Sequence, residues 1–374
     1  MDLGLDEGQQ MLRSSARDFL EAECRTTHVR DMEEDERGYT PEMWRRLADQ
    51  GWLGLIFPER YGGAGLSFLD LSILLEETGR ALLPGPFFST VVLGGMAIMD
   101  AGSDAQKAEF LARISSGQII VTLALTEPSA RWDAAGVQAT AEATGDGYVI
   151  SGTKLFVPNA NVSDYLLVAA RTGESERDVT LFITRSDARG IRQTLLKTIA
   201  SDRQSEVVFD RVDVPASAVV GEVNRGWDTI EKVVRWGAVG KCAEMVGGSQ
   251  QVLDMTVEFA KQRVQFGRPI GSFQAIQHHC ANMATDVEGS RFLTYQAAWR
   301  LSEGLPAERE VAMAKAWVSE AYRRVCALGH QCHGAIGFTK EHDMQLYSRR
   351  AKAAELAFGD SDFYLEQVAQ SIGL

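Results

Sequence analysis

RVQFGRPIGSFQAIQHH, residues 263–279, is the stretch on which the reading of this chain turns. It sets a guanidinium (Arg263), an aromatic ring (Phe266), two glycines (Gly267 and Gly271) and an amide (Gln274) at the end of a long helical pattern and on the turn that breaks it. By itself this is also how an ordinary helix ends, with Pro269 and Gly271 as breakers and a solvated arginine in the last turn. Three further segments change its weight: GWLGLIFPERYGGAG (51–65), LALTEPSA (123–130) and QCHGAIGFTKEHD (331–343), separated by domain-scale distances along the chain.

The chain has 374 residues, long for a single core, so two or three packed units are expected. Hydrophobic residues make up 45% and charged residues 24%, an ordinary balance for a globular enzyme. A formal charge of -13 argues against nucleic acid or an anionic membrane as the main partner, while leaving room for a local basic site. The five cysteines (Cys24, Cys242, Cys280, Cys326, Cys332) form no regular framework, which points to a reducing, cytoplasmic setting. The opening MDLGLDEGQQMLRSSARDFLEAEC reads as an acidic amphipathic helix, and no apolar run is long enough to span a bilayer.

From Asp6 to about Ser115 apolar residues recur at helical spacing, as in Leu69, Leu71, Leu74 and Leu75. Gly62, Gly63 and Gly65 mark a tight loop within this helical part. Between Ile119 and Val220 the texture becomes short β-rich runs (IIVTLAL, YVISG, YLLVAAR, VTLFIT, SEVVFDRVDV), with GESERD near Gly173 as a hairpin tip. Long helical patterns return from Trp227 to Arg263, near Ala275 to Glu303 and from Glu308 to Leu328. The expected fold is α+β: an N-terminal helical bundle (1–117), a middle β-domain (118–225) and a C-terminal four-helix bundle (226–374).

Taken in order, the four segments resemble the flavin-dependent acyl-CoA dehydrogenases over nearly the whole chain. The resemblance implies FAD as cofactor, an acyl-CoA thioester as substrate, and an electron-transferring flavoprotein as acceptor. It also implies cofactor-binding roles. Arg263, Phe266 and Gln274 match positions that hold the diphosphate and adenosine of a neighbouring protomer's FAD, and a guanidinium suits a diphosphate as a permanently charged donor fork. Gln331, Gly334 and Gly337 match the second cross-subunit segment, where glycines let backbone amides approach the cofactor. Thr126, in Thr126-Glu127-Pro128, matches a threonine whose hydroxyl bonds the flavin ring. His330, Cys332 and His333 lack the paired spacing of structural zinc, so no metal is expected.

Several positions depart from the family pattern. Arg131, Trp132 and Asp133 stand where a glycine, a serine and an aspartate usually follow the Thr-Glu-Pro turn, and Ala335 stands where a glycine is usual. In GTKLFVPNA, Phe156 replaces a common tryptophan and Pro158 a hydroxyl residue beside the flavin. In RRAKAAELAFGDSD, Phe358 stands at the usual catalytic glutamate and Asp360 at the threonine. Removing an α-proton from a thioester needs a carboxylate within reach, and phenylalanine offers none.

An alternative family position for the base aligns with Gly237, which is equally empty. Glu244, seven residues along the same helix and roughly 10 Å away by helical rise, is the candidate relocated base, with Glu355 and Asp360 behind it. The residues that would reach into a neighbour's site are intact and those of the chain's own site are altered. This sorting resembles the heteromeric steroid and side-chain dehydrogenases, α2β2 assemblies of paralogous subunits with fewer flavins than chains. A homotetramer with a relocated base and a non-catalytic acyl-CoA-binding scaffold are the competing readings.

Overall fold

The computed structural model describes residues 4–374. The expected N-terminal helix begins at Glu7; Met1 to Leu3 lie outside the described residues. Four helices open the chain: α1 (Glu7–Glu23), α2 (Thr26–Glu34), α3 (Pro41–Asp49) and α4 (Phe68–Arg80). Local chemistry starts them: Asp6 and Gln9 form a reciprocal capping box at α1, Thr40 caps α3 with Pro41 in its first turn, and Ser67 and Asp70 box α4. A helical run from Ser89 to Ser115 follows, in which wide π turns (Ser89–Gly95 and Lys107–Leu111) alternate with α5 (Met96–Ala101), α6 (Asp104–Gln106) and α7 (Ala112–Ser115).

The middle of the chain folds into a mixed sheet of β1 (Val121–Ala124), β2 (Thr140–Ala143), β3 (Gly147–Pro158), β4 (Tyr165–Arg171), β5 (Val179–Arg185), β6 (Ile191–Leu196), β7 (Gln204–Pro215) and β8 (Val219–Val220). Its order is β6-β7-β3-β2-β4-β5-β8, with β1 added parallel to β4. Ile150, Phe182, Val207, Phe209 and Val212 fill its core. The GESERD stretch turns the chain between antiparallel β4 and β5, as its composition predicts.

Long helices return in α8 (Gly226–Gln262), α9 (Gln274–Ser302) and α10 (Glu308–His333), followed by α11 (Met344–Leu356) and α12 (Ser361–Ser371). Between α8 and α9 lies a small hairpin of β9 (Val264–Gln265) and β10 (Arg268–Pro269). The turn expected after α8 is therefore a β-hairpin, and the helix stops at Gln262, one residue before the expected Arg263. Helix α10 runs five residues past the expected Leu328, to His333.

By its contacts the chain divides into two compact units: 1–30, 67–83 and 238–374 form one, and 31–66 with 84–237 form the other. The helical first third of the sequence is thus shared between them. Within the first unit, α4 and α8 approach to backbone contact. A Cβ on Gly79 would stand 2.1 Å from the Glu244 carbonyl oxygen, and one on Gly247 would stand 1.7 Å from that of Glu76. Beside this crossing, buried Glu76 accepts from Arg291 Nε (3.1 Å) and Tyr295 Oη (2.7 Å) of α9, and buried Glu77 holds Arg17 of α1 through two hydrogen bonds. Both carboxylates are therefore paired as well as buried.

Because the opposing atoms at Gly247 are backbone, no rotamer change relieves a clash there. Gly247→Ala is expected to lower unfolding free energy by about 3 kcal/mol, read as a drop in denaturation midpoint at unchanged slope; a midpoint equal to wild type would show that the crossing tolerates a wider spacing.

Candidate cofactor-binding and active site

Helix α8 delivers Arg263 to the protein surface, its N–H still bonded to the Phe259 carbonyl at 2.8 Å. The hairpin then closes through Ile270 N–H to the Arg263 carbonyl, 2.8 Å. Its two-residue tip, Phe266-Gly267, has positive φ at both positions (53° and 79°), the geometry that suits a tight hairpin. Glycine takes this readily; an aromatic residue is strained there. Phe266 is nonetheless 92% exposed, its ring meeting Phe273 edge-on with centroids 6.1 Å apart. Arg268 is packed over the Phe273 ring at 4.2 Å, while Gln274 opens α9 on the surface.

The second segment expected to meet the cofactor begins where α10 ends. Gly334 has φ 65° and ψ -149°, a region open essentially to glycine alone, and the place of its missing Cβ faces open space. A Cβ on Gly337, by contrast, would stand 3.0 Å from His333 Cβ. Gln331 is exposed on the last turn of α10. Arg30 clamps the chain beyond the turn, donating to the carbonyls of Lys340 and Glu341 and to Asp343. The two segments meet through a ring stack between Phe259, one turn before Arg263, and His333, one residue before Gly334, with centroids 4.4 Å apart. The structure thus brings Arg263, Phe266, Gln274, Gln331 and Gly334 to exposed positions on linked segments.

Thr126 belongs to the other unit, just past β1, where its carbonyl accepts from Leu155 N–H at 2.8 Å. The turn it starts is anchored by a pair that the sequence reading did not single out. Glu127 and Lys154 are buried and bonded at 2.6 Å, and Glu127 also accepts from the N–H groups of Gln138 and Ala139. Burial pushes the Lys154 amine down from its ordinary pKa while Glu127 pulls it back. The available signal was the lysine of GTK, a charged residue inside an otherwise β-forming run.

Around that turn the altered positions have definite geometry. Ala130 has φ 53°, Trp132 is half-buried, and Arg131 and Asp133 pair with each other on the surface at 2.6 Å. Phe156 sits where the β3–β7 register slips, with φ 52° and 55% exposure. Pro158 lends its carbonyl to Thr122 Oγ1 at 2.6 Å.

None of the possible bases is idle. Glu244 is ion-paired to Lys241 at 2.6 Å, and its backbone forms the tight crossing with Gly79. Glu355 is buried and holds both Arg323 and Lys352, and Asp360 caps α12 by accepting from Phe363 N–H. Gly237 is buried within α8. Phe358 is buried in a left-handed turn (φ 60°, followed by Gly359 at 102°), its carbonyl accepting from Tyr364 Oη. A fully buried lysine, Lys315, holds this turn by donating to the carbonyls of Glu355 and Gly359 and to Ser319 Oγ. Burial pushes Lys315 down to about 8, against the pull of Cys242, Glu355 and Asp360.

Family comparison covers these same segments. The acyl-CoA dehydrogenase N-terminal domain matches residues 6–118, the middle domain 122–212 and the C-terminal domain 224–373. The chain belongs to the acyl-CoA dehydrogenase family. Among curated relatives, the 3-(aryl)acrylate reductase of Clostridium sporogenes is 32% identical over 98% of both chains. Among solved structures, butyryl-CoA dehydrogenase from Megasphaera elsdenii superposes with a TM-score of 0.93 at 30% identity over the full length of both chains. A chain of the ChsE4–ChsE5 complex from Mycobacterium tuberculosis gives 0.92 at 31% identity, covering 100% of this chain and 99% of that one.

Acyl-CoA dehydrogenases are FAD-dependent oxidoreductases acting on CH–CH bonds, and the two halves of that cofactor find different receptions here. Arg263 and the open backbone at Gly334 fit a dinucleotide diphosphate. At the positions expected to face the flavin, Thr126 keeps its hydroxyl and Pro158 has neither hydroxyl nor N–H; Phe358, in the other unit, offers no carboxylate. Among the described residues, no group of three or more His, Cys, Asp or Glu side chains gathers as a metal site, and no helix is long and apolar enough to cross a membrane.

Two outcomes follow from the buried lysines. Lys154→Met leaves Glu127 charged and buried without its cation, and should cost about 3 to 5 kcal/mol of stability; pairing it with Glu127→Gln should recover a large part of that loss, and a double variant no better than the single would deny the coupling. For Lys315 the folded pKa lies below the unfolded value, so between about 8 and 10.5 the unfolded chain binds the extra proton and folding gains as pH rises. The stability difference between wild type and Lys315→Met should therefore grow by up to about 3 kcal/mol across that window in pH-resolved denaturation; a flat difference would contradict the assignment.

Proposed function

We propose that this chain is one subunit of a heteromeric, FAD-dependent acyl-CoA dehydrogenase, an α2β2 assembly with a paralogous chain. In it Arg263, Phe266, Gln274, Gln331, Gly334 and Gly337 serve an FAD housed mainly by the partner. The observation that carries this reading is the contrast between two sets of residues. The dinucleotide-facing set is exposed and held in a costly conformation, as at Phe266. The set at the usual base has no spare carboxylate: Phe358 occupies the position, and Glu244, Glu355 and Asp360 are committed to Lys241, to Arg323 and Lys352, and to a helix cap.

When bound, FAD supplies the acceptor for the hydride leaving the β-carbon of the acyl-CoA. Arg263 neutralises the diphosphate with charge-assisted hydrogen bonds, and the Gly334 backbone comes close because no Cβ intervenes. Gln274, first residue of α9, adds an amide at a helix N-terminus, where the helix dipole favours negative charge. The paralogous subunit provides the carboxylate that takes the α-proton. Electrons leave to an electron-transferring flavoprotein, and the assembly works in the cytoplasm.

Expressed alone, the chain should purify colourless; co-expressed with its paralogue it should turn yellow, with about one flavin per two chains under this reading. Arg263→Ala should weaken FAD retention by about tenfold to a hundredfold, the range for a hydrogen bond to a charged group. A yellow chain on its own, reduced by an acyl-CoA, would replace this reading with a homo-oligomeric enzyme. Thioester binding without flavin bleaching in any combination would replace it with a scaffold.

A further inference from the structure

In the unit that carries Arg263, a cavity of about 210 Å³ opens between the ends of α1 and α4 and the flanks of α8 and α11. It is smaller than the roughly 300 Å³ at which pockets for drug-sized ligands begin. Leu20 and Cys24 at the end of α1 and Ala81 just after α4 supply an apolar wall. Burial pushes the Cys24 thiol up to about 12, so this wall is uncharged at neutral pH.

The polar side of the cavity holds more hydrogen-bond donors than acceptors. Arg80, whose side chain is only 18% exposed, gives Nη1 to Asp254 at 2.7 Å, while its Nε and Nη2 have no partner among the described residues. The Arg25 guanidinium and the Gln251 amide line the same space and make no hydrogen bond or ion pair among the described residues. On the acceptor side, Glu77 is already taken by Nε and Nη2 of Arg17, at 3.0 and 2.7 Å. Glu21, exposed at the rim, is the remaining lining carboxylate. Behind the wall Arg350 adds a further cation: its charge acts on the Cys24 thiol, and its Nε is buried with no acceptor. Buried donors are ordinarily paired, so several unmet N–H groups gathered at one cavity call for an acceptor from outside the chain.

We propose that this cavity is a binding site for a small organic carboxylate, its oxygens taken by Arg25 and Arg80 with the Gln251 amide beside them, and its short hydrocarbon body laid against Leu20, Cys24 and Ala81. A planar carboxylate accepts the paired N–H groups of a guanidinium, and charge-assisted pairs of this kind are the stronger hydrogen bonds. One negative charge suits the site better than two. Glu21 and Glu77 both line it, so a phosphate dianion meets like charge from two sides. A cation meets three guanidinium groups and few open acceptors. None of the residues assigned to FAD takes part, so the site stands apart from the heteromeric reading.

The test is isothermal titration of the full chain with butyrate, 3-phenylpropionate, butyramide and inorganic phosphate, repeated on Arg25→Gln and Gln251→Leu. At least one of the two acids should bind saturably at one site per chain, with butyramide and phosphate at least tenfold weaker. Arg25→Gln should weaken the acid by about tenfold or more, as expected for a hydrogen bond to a charged group, and Gln251→Leu by less. Arg25 is exposed and unpaired, so its variant should unfold at the wild-type midpoint without ligand; if it does not, Arg25→Lys keeps the charge, removes the fork and should still weaken the acid. No saturable binding of either acid, binding that is unchanged in the folded variants, or phosphate bound as tightly as the acids would each overturn the proposal. The readout is carboxylate affinity rather than colour or turnover, so its failure leaves the FAD assignments untouched, and theirs leaves this site untouched.

Discussion

The backbone contact between α4 and α8 fixes the unit that carries Arg263 and Gly334. Gly79 and Gly247 remove the two Cβ atoms that would keep these helices apart, and the adjacent carboxylates of Glu76 and Glu77 draw in arginines from α9 and α1. Position along α8 is then set by its crossing with α4, and everything downstream inherits it. Fifteen residues separate Glu244, at the crossing, from Phe259, whose ring sets the level of His333. Arg263 follows one turn later. A guanidinium at a surface is worth little as an isolated charge, but held at the end of a helix that is locked midway along its length it becomes a fixed donor fork.

Three phenylalanines adopt left-handed backbone conformations: Phe156, Phe266 and Phe358. Each position costs of order 1 to 3 kcal/mol. Their settings differ. Phe156 sits in a register slip of the sheet, Phe266 at a hairpin tip, and Phe358 in a turn secured by Lys315 and Tyr364. At Phe358 the strain persists although the side chain is apolar. The cradle of Lys315 holds the turn without using that side chain: one buried ammonium donates to the Glu355 and Gly359 carbonyls on either side of Phe358 and to Ser319 Oγ. The turn therefore keeps a backbone suited to presenting a residue while the residue itself carries no proton-accepting group.

Much of this was legible in the sequence because it depends on local pattern. The switch from helical spacing to short β-runs near Ile119 and back near Trp227 is visible in residue order alone, and the Phe266-Gly267 pair lies in a stretch already marked by its composition. Other features were not legible because they are long-range. Lys154 finds Glu127 only when β3 passes beside the end of β1, and Lys315 finds the Phe358 turn 40 residues and more downstream. Buried lysines carry no periodic signature. The end of α8 near Arg263 was legible, but the hairpin after it was not: Pro269 and Gly271 signal a turn without its form, and the tip is set where Phe266 accepts a conformation its own preference opposes.

The distribution of committed groups bears on how such a chain can lose one function and keep another. A base must be desolvated yet free, which is a demanding state for a carboxylate. Glu244, Glu355 and Asp360 are instead committed to a cation or a helix cap. A dinucleotide grip has the opposite requirement: exposed, permanently charged or backbone donors on a rigid support. Arg263 and Gly334 satisfy it without burying any unpaired charge, so nothing in the stability of the isolated chain selects against them. Phe266 is different: its backbone is strained and its ring, which meets Phe273 edge-on, stays 92% exposed, so most of its surface is free for another molecule to cover.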